Sequence, residues 1–392
     1  MTLTETPAPA QTAGPLVAPP GLKGLVVAET SIGDVRGDEG FFHYRQHSAV
    51  ELAAVRDFED VWHLLLDGHL PDRAGSARFR AEVGAARAID PEVREVLEII
   101  GRSGSGGLTA LRAALAVTLD AMDLEPMLDE SPLERRAEAV RVAAMVPTLV
   151  AAVHRLRAGE RPLAPDPELD HATDFLRMLT GRRPDPEQAA AVGTYLTLTA
   201  DHGFNASTFT ARVIASTGAD LGACVLGALG ALSGPLHGGA PSRALELLDL
   251  IGTPDRTDEV VGALVADGRR IMGFGHAVYT GEDPRSRVLQ GLALQLGGVR
   301  AELAVAAEVA VVAALARLKP DRPLRANVEY YAGVVMEACG IEPALFTSTF
   351  AVSRVVGWTA HALEQASQPR IIRPSSRYVG PPAPQPVPAR TG

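Results

Sequence analysis

Cysteine is nearly absent from this chain. Cys224 and Cys339 stand alone in 392 residues. That excludes a disulfide scaffold and points to a reducing compartment, with both thiols read as small core residues. Aromatic residues are scarce at 5%, while 46% of the chain is apolar. The apolar share is mostly Ala, Leu and Val, which favours closely packed helices over sheets. Positive charge is in deficit, with a formal net charge of −10. General nucleic-acid and membrane-surface binding need a basic footprint and are excluded, while arginines that converge locally leave an anionic ligand open. Long hydrophobic runs are missing too. The longest candidates, 223–236 and 304–318, are broken by Gly and Pro or by Glu308. They fall short of the roughly 18 apolar residues that a membrane span requires. No basic residue precedes Lys23 and the opening stretch lacks an apolar core, so no secretory signal is expected and the expected location is cytoplasmic.

A chain this long exceeds the size at which one hydrophobic core keeps growing, so two domains are expected. Residues 1–20 and 381–392 are rich in Pro and Ala and are expected to be disordered tails. Residues 25–30 and 41–44 read as short strands separated by a Gly/Asp-rich turn. From Ser48 onward the pattern is helical. Asp57 reads as the N-cap of a helix that Gly68 stops. Further helices are expected over 77–87, 91–100, 108–122, 132–157, 167–180, 186–202, 207–216, 219–233, 243–252 and 257–272. The last group covers 286–296, 301–318, 330–340, 343–346 and 349–365. The glycine-rich stretch 101–107 lacks a following Lys-Ser/Thr and reads as a helix connector.

Three short motifs place ionisable groups among glycines: GPLHGG at 234–239, GFGH at 273–276 and NVEYYAG at 327–333. In the first, proline ends an apolar helix and glycines let backbone approach a ligand around His237. The second is a glycine turn carrying His276, with Arg285 nine residues on. No strand precedes it, so it is not a dinucleotide fingerprint. In the third, Glu329 opens a helix, where a carboxylate is also favoured on purely structural grounds. His202 lies at a helix break followed by Asn205 and Ser207, both good cap residues. Arg354 sits in a mostly apolar helix, where a buried guanidinium needs an anionic partner. Arg370, Arg373 and Arg377 crowd the segment before the tail. One carboxylate, two imidazoles and several guanidinium groups are equipment for carbon acid–base chemistry on an anionic substrate. His43 and His47 lie on or beside a predicted strand, a poor arrangement for a metal, and no G-x-S-x-G elbow marks a serine hydrolase.

In their order these motifs resemble the citrate synthase family. The resemblance runs from Gly21 to Gly380, through GLKGLVVAETSIGDVRGDEG, DHGFNASTFTARVIAST, GPLHGG, GFGHAVY, DPR, NVEYYAG, FAVSRVVGW and IIRPSSRYVG. It implies a mainly α, two-domain, all-helical fold with a short N-terminal β-hairpin. The large domain would comprise 21–237 and 341–380, and the small domain 238–340 would carry coenzyme A contacts. It implies a transferase that condenses acetyl-CoA with oxaloacetate and hydrolyses the thioester to citrate and CoA. On the resemblance, Glu329 is the base, His237 stabilises the enol and His276 polarises the oxaloacetate carbonyl. His202, Arg285 and Arg354 hold the dicarboxylate, and Arg373 reaches the neighbouring site of a homodimer. Gly273, Gly275 and Asn327 meet the coenzyme. Acetyl-CoA is then a co-substrate, and neither a permanently bound cofactor nor a metal is expected.

The chain departs from the family pattern in two places that bear on chemistry. Glu329 stands where the family almost always has Asp, and Thr199 where it often has another histidine. One added methylene moves a carboxylate by roughly an ångström, a displacement that costs about a hundredfold in rate when uncompensated. Two alternatives therefore stand beside citrate synthesis: a 2-methylcitrate synthase using propionyl-CoA, and an impaired paralogue that binds these ligands without turnover.

Overall fold

The computed structural model describes residues 16–237, 240–276, 278–321, 323–368 and 370–388. Two units divide the chain, Met1–Ser31 and Ile32–Gly392. Of the expected tails, 1–15 and 389–392 lie outside the described residues. In the first unit Pro20–Leu22 forms a short 3-10 turn. The strand expected at 25–30 is not formed there, and Val26 is 84% exposed. The strand that pairs with β2 (Phe41–Tyr44) is instead β1 (Gly33–Arg36), in register Gly33 with Tyr44 and Arg36 with Phe41. A short connection closes at lower entropic cost than a long one, and Gly40, at φ 61°, supplies the left-handed turn. β3 (His47–Ser48) adds a third antiparallel strand beside β2.

The rest is helical. The helices are α1 (Ala49–Val55), α2 (Phe58–Asp67), α3 (Arg73–Ala86), α4 (Pro91–Arg102), α5 (Gly107–Ala121), α6 (Pro132–Arg157), α7 (His171–Thr180) and α8 (Pro186–Thr199). They continue with α9 (Ala206–Ala215), α10 (Leu221–Leu232), α11 (Ala240–Ile251), α12 (Thr257–Ala266), α13 (Pro284–Leu296), α14 (Val299–Leu318), α15 (Val328–Ala338) and α16 (Phe346–Ala366). Asp57 occupies the N-cap of α2, but its carboxylate pairs with Arg80 at 2.5 Å instead of capping. The helix expected from 167 starts at His171, because the Asp170 carboxylate caps there by accepting from Thr173 N at 2.8 Å. α8 ends at Thr199, before His202, with Ala200 closing it by donating its N–H to the Thr197 carbonyl, and α12 ends at Ala266, two residues before Gly268 at φ 69°.

α6 and α16 form the middle of the core. α6 begins with a capping box in which Ser131 and Glu134 satisfy each other's backbone amides, and Pro132 sits at its first position. It is long and apolar enough to cross a membrane by composition, yet 78% of that stretch is buried inside the protein, as a core helix is. α16 buries almost its whole length, including Ser353, Arg354, Thr359 and His361. Buried polar groups need partners. The Ser353 hydroxyl donates to the Leu196 carbonyl at 2.5 Å and Arg354 Nε to the Thr199 carbonyl at 2.8 Å. Thr199 Oγ1 lies 2.9 Å from that Ser353 hydroxyl. These bonds pin α16 to the end of α8, next to His202. Cys224 and Cys339 are free and buried.

Candidate active site

The site is assembled from three chain segments. The first is the turn 273–276 and the strand-like approach to α15. Gly275 N donates to the Arg325 carbonyl at 2.8 Å and Asn327 N to the Gly273 carbonyl at 2.9 Å. The Asn327 side chain closes the lace, with Nδ2 donating to the Gly275 carbonyl at 2.9 Å and Oδ1 capping α15 by accepting from Glu329 N at 3.1 Å. His276 and Glu329 thus leave opposite strands of one small bridge. Gly273 has φ +82°, and a Cβ there would sit 3.0 Å from Tyr330 Cδ2, so glycine is required for packing as well as for its conformation.

Asp283 ties that bridge to Arg285. It caps α13 (Arg285 N, 3.0 Å), grips the guanidinium (Nε 2.9 Å, Nη2 2.8 Å) and accepts Val328 N at 3.0 Å. One carboxylate therefore fixes Arg285 relative to the first turn of α15. Burial pushes the Asp283 carboxyl up, but the Arg285 charge and hydrogen bonds outweigh that and hold it below the ordinary range. Arg285 itself is 3% exposed and lies over the rings of Phe42 and Tyr279.

The second segment is the break after α8. The His202 ring stands edge-on to His276, centroids 5.6 Å apart, and against Phe42 at 5.6 Å. Tyr44 holds the break in place by donating to the Thr197 carbonyl at 2.8 Å. Burial, reinforced by the charges of Arg285 and Arg354, keeps the His202 imidazole neutral well below its usual pKa.

His276 is constrained more tightly. Its Nδ1 accepts from the backbone amides of Val278 and Tyr279, both at 3.0 Å. An imidazole that accepts at Nδ1 carries its proton on Nε2 when neutral. Burial, then the Arg285 charge, lowers its pKa to about 4, so it is neutral at pH 7. Arg285 Nη2, which can only donate, lies 3.3 Å from Nε2 and competes with the proton there, but the two backbone amides held on Nδ1 decide for the Nε2–H form. Two donors facing one another in a part-buried site leave a place for an acceptor oxygen, such as a ketone or carboxylate.

The third segment carries His237. Its Nε2 lies 2.8 Å from Ser207 Oγ, which accepts from Trp358 Nε1 at 3.0 Å and lies 2.7 Å from Asn205 Oδ1. The ring is thereby fixed through Nε2, and Nδ1 has no hydrogen-bond partner among the described residues. Burial, then the Arg354 charge, lowers its pKa to about 4. Arg354 is 2% exposed, lies over the Phe350 ring at 4.5 Å and has its pKa lowered by burial to about 10. Nε is committed to Thr199, and the terminal nitrogens have no hydrogen-bond partner among the described residues, which leaves them for an anion.

Glu329 does not behave as a solvated helix-start acid. Crowding around its carboxyl pushes the pKa up to about 7, against the opposing pull of Arg285. A carboxylate poised near neutrality is suited to taking a weakly acidic proton.

Comparison with known proteins fits this geometry. Residues 21–375 match the family description "Citrate synthase, C-terminal domain". The chain belongs to the citrate synthase family. It is 39% identical over 365 residues to the citrate synthase of Synechocystis, covering 92% of this chain and 90% of that one. The crystal structure of citrate synthase from Thermotoga maritima superposes with a TM-score of 0.82 at 34% identity, covering 94% and 97% of the two chains. That of the Thermoplasma acidophilum enzyme, a ternary complex with carboxymethyl coenzyme A and oxaloacetate, gives 0.86 at 28% identity, covering 94% and 98%. The mainly helical fold with its short β element is the citrate synthase fold.

Of the residues singled out from the motifs, Arg285 is the common neighbour: the charges or rings of His202, His276, Arg354 and Glu329 each act on it, and His237 joins them through Arg354. Gly273, Gly275 and Asn327 build the bridge under Glu329. Arg373 is exposed, and its neighbour Ile372 N donates to Ser216 Oγ at 3.0 Å beyond the end of α9. Motif reading passed over Phe42, Asp283 and Tyr279, and saw Ser207 only as a cap. The Asp-Pro-Arg spacing around α13 was the available signal for Asp283, since a cap two residues before an arginine also reaches its side chain.

Proposed function

We propose that this chain is a working citrate synthase, condensing acetyl-CoA with oxaloacetate and hydrolysing the thioester to citrate and CoA. The observation that carries the reading is the crowded Glu329 carboxyl, with its pKa near 7, on the same backbone bridge as the neutral Nε2–H form of His276. Glu329 takes a proton from the acetyl methyl group. With the Ser207 hydroxyl proton turned from Asn205 Oδ1 into Nε2, His237 carries its own proton on Nδ1 and donates it to the thioester oxygen as negative charge develops there. The enol carbon attacks the oxaloacetate ketone, and His276 Nε2–H gives its proton to the oxygen that becomes the hydroxyl. Water then cleaves the thioester, releasing CoA as the free thiol. His202, Arg285 and Arg354 hold the two carboxylates of oxaloacetate. In a homodimer, Arg373 of each chain would serve the other chain's site.

Gly273, Gly275 and Asn327 are assigned to the coenzyme side. The small domain 238–340 would carry them and close over the bound oxo acid, excluding water. The acyl chain is the finer question. A single methylene in a pocket discriminates by only about 1–3 kcal/mol, so the ratio of kcat/KM for acetyl-CoA and propionyl-CoA decides between citrate and 2-methylcitrate synthesis. The test is thiol release by the purified protein with oxaloacetate and each acyl-CoA. Release with acetyl-CoA is expected to dominate. No release with either, alongside calorimetric binding of oxaloacetate, would make the chain a binding paralogue.

A further inference from the structure

Tyr279 falls outside the residues assigned above, yet it touches His202, His276 and Arg285. Its backbone N–H donates to His276 Nδ1, and its phenol oxygen lies 3.0 Å from His202 Nε2. Its ring lies against His276, centroids 4.7 Å apart, and beneath the Arg285 guanidinium at 5.7 Å. The residue is 5% exposed, and burial pushes the phenol pKa up, so the hydroxyl keeps its proton. Among the described residues, His202 Nε2 is the hydrogen-bond partner of that hydroxyl. Were the hydroxyl only to accept, its own proton would be buried without an acceptor, a cost that protein interiors avoid. The hydroxyl therefore donates into Nε2. A neutral imidazole that accepts at Nε2 carries its proton on Nδ1.

We propose that Tyr279 is a positioning residue that sets the tautomers of both imidazoles, its amide holding His276 as the Nε2–H form and its phenol holding His202 as the Nδ1–H form. An oxo dicarboxylate offers only acceptors, so each ring must present a proton to it. The wrong tautomer presents a lone pair to a carboxylate, replacing a hydrogen bond with repulsion. Without the phenol, His202 divides between its two neutral forms and fewer molecules are ready to bind.

The tautomer assignment stands on the ligand-free geometry. Its effect on substrate affinity rests on the proposed condensation. Ring 15N chemical shifts of histidine-labelled protein, assigned with His202→Gln and His276→Gln, report which nitrogen carries the proton. Wild-type protein is expected to show Nδ1–H at His202 and Nε2–H at His276. Tyr279→Phe deletes the hydroxyl but keeps the ring and the amide. It is expected to shift His202 toward a mixture and leave His276 unchanged, an internal control that general loosening would not respect. The KM for oxaloacetate should rise about tenfold, as for loss of one hydrogen-bond donor, with kcat changed by less than about threefold. A wild-type His202 in the Nε2–H form overturns the proposal, whether or not the variant folds. So does a Tyr279→Phe protein whose His202 spectrum and oxaloacetate KM both match wild type. Absence of turnover with the stated tautomers intact would instead overturn the condensation reading alone.

Discussion

Arg87 and Arg354 are both withdrawn from solvent, at 0% and 2% exposure. Arg87, at the end of α3, gives Nη1 to the Asp174 carboxylate at 2.8 Å and Nη2 to the Leu169 carbonyl at 2.7 Å. Its counter-ion is itself fully buried, and Arg177 supports it from the far side at 2.7 Å. Among the described residues Arg354 commits only Nε, to a backbone carbonyl, and it lies on the face of Phe350. Burial lowers its pKa to about 10 against the pull of the Asp201 charge, and among the described residues no carboxylate bonds it as Asp174 bonds Arg87. Burial of a guanidinium therefore does not mark a site. What marks it is donor capacity left uncommitted after local bonds are made, which Arg354 has at its terminal nitrogens. Such a group weakens the empty fold and recovers the loss only when an anion arrives.

The sharpest break of that comparison is at Glu329, the carboxyl held against its own ionisation. Glu329→Gln should lower kcat by roughly 10²–10⁴-fold, the usual worth of a general base, while oxaloacetate binding measured by calorimetry stays within about threefold. The same change should stabilise the protein at high pH. Its folded pKa of about 7 lies above the ordinary glutamate value of 4.5, so wild-type stability falls as pH rises from 4.5 to 7 and stays reduced above that. The difference is on the order of 3 kcal/mol at pH 8 and vanishes near pH 4. Urea unfolding at both pH values reads it. Equal stability of the two proteins at pH 8 would mean that the carboxylate is comfortable in its place and is not poised as a base. Correspondingly, wild-type kcat/KM should rise with pH through a limb near 7.

The two arginines should separate next. Arg87→Met leaves Asp174 without its buried partner and should cost about 3–5 kcal/mol of stability, with kcat and KM per folded molecule unchanged. Arg354→Met should change stability by less than about 1 kcal/mol, yet raise the oxaloacetate KM about a hundredfold, as for loss of a charged, bidentate contact. Oxaloacetate should raise the Tm of wild type and the Arg87 variant alike and leave that of the Arg354 variant unmoved. An Arg354 variant that is as damaged in stability as the Arg87 variant would show that both serve the fold.

Much of this was legible from the sequence because glycine, proline and capping residues act locally. Helix α6 matches its expected span at both ends, set by Ser131, Pro132 and a run of strong helix formers. His202, His237, His276 and Glu329 stood out because each interrupts or opens a helix. What escaped depends on pairing across the chain. Side-chain preference alone favours a strand at 25–30, but β2 pairs with the sequence neighbour that a glycine turn brings back to it. Asp283 and Tyr279 resemble ordinary loop residues until the fold sets Arg285, Val328 and His202 around them. Ser207 has the sequence of a cap, and only α16 reveals its second duty to Trp358 and His237.

The smallest expected effect sharpens the same contrast with histidines. His171 is 1% exposed, boxed by Phe58 and Trp62, and neither ring nitrogen has a hydrogen-bond partner among the described residues. His276 is neutral for a similar reason, burial, but both of its nitrogens are directed. Burial, reinforced by the Arg87 charge, keeps the His171 pKa well below 6.5. A histidine depressed in the folded state contributes nothing adverse above the unfolded pKa. Below it, the unfolded chain takes up the proton first, so stability falls as pH drops from about 6.5. His171→Phe removes that term and two unsatisfied nitrogens while keeping the ring packing. Wild type should lose about 1 kcal/mol more than the variant between pH 7.5 and 5.5 in urea unfolding, and kcat should be unchanged. The depressed histidines of the site titrate in both proteins and cancel from the difference. An identical pH dependence would show that the His171 box already admits a proton, as a site with an unseen hydrogen-bond acceptor would.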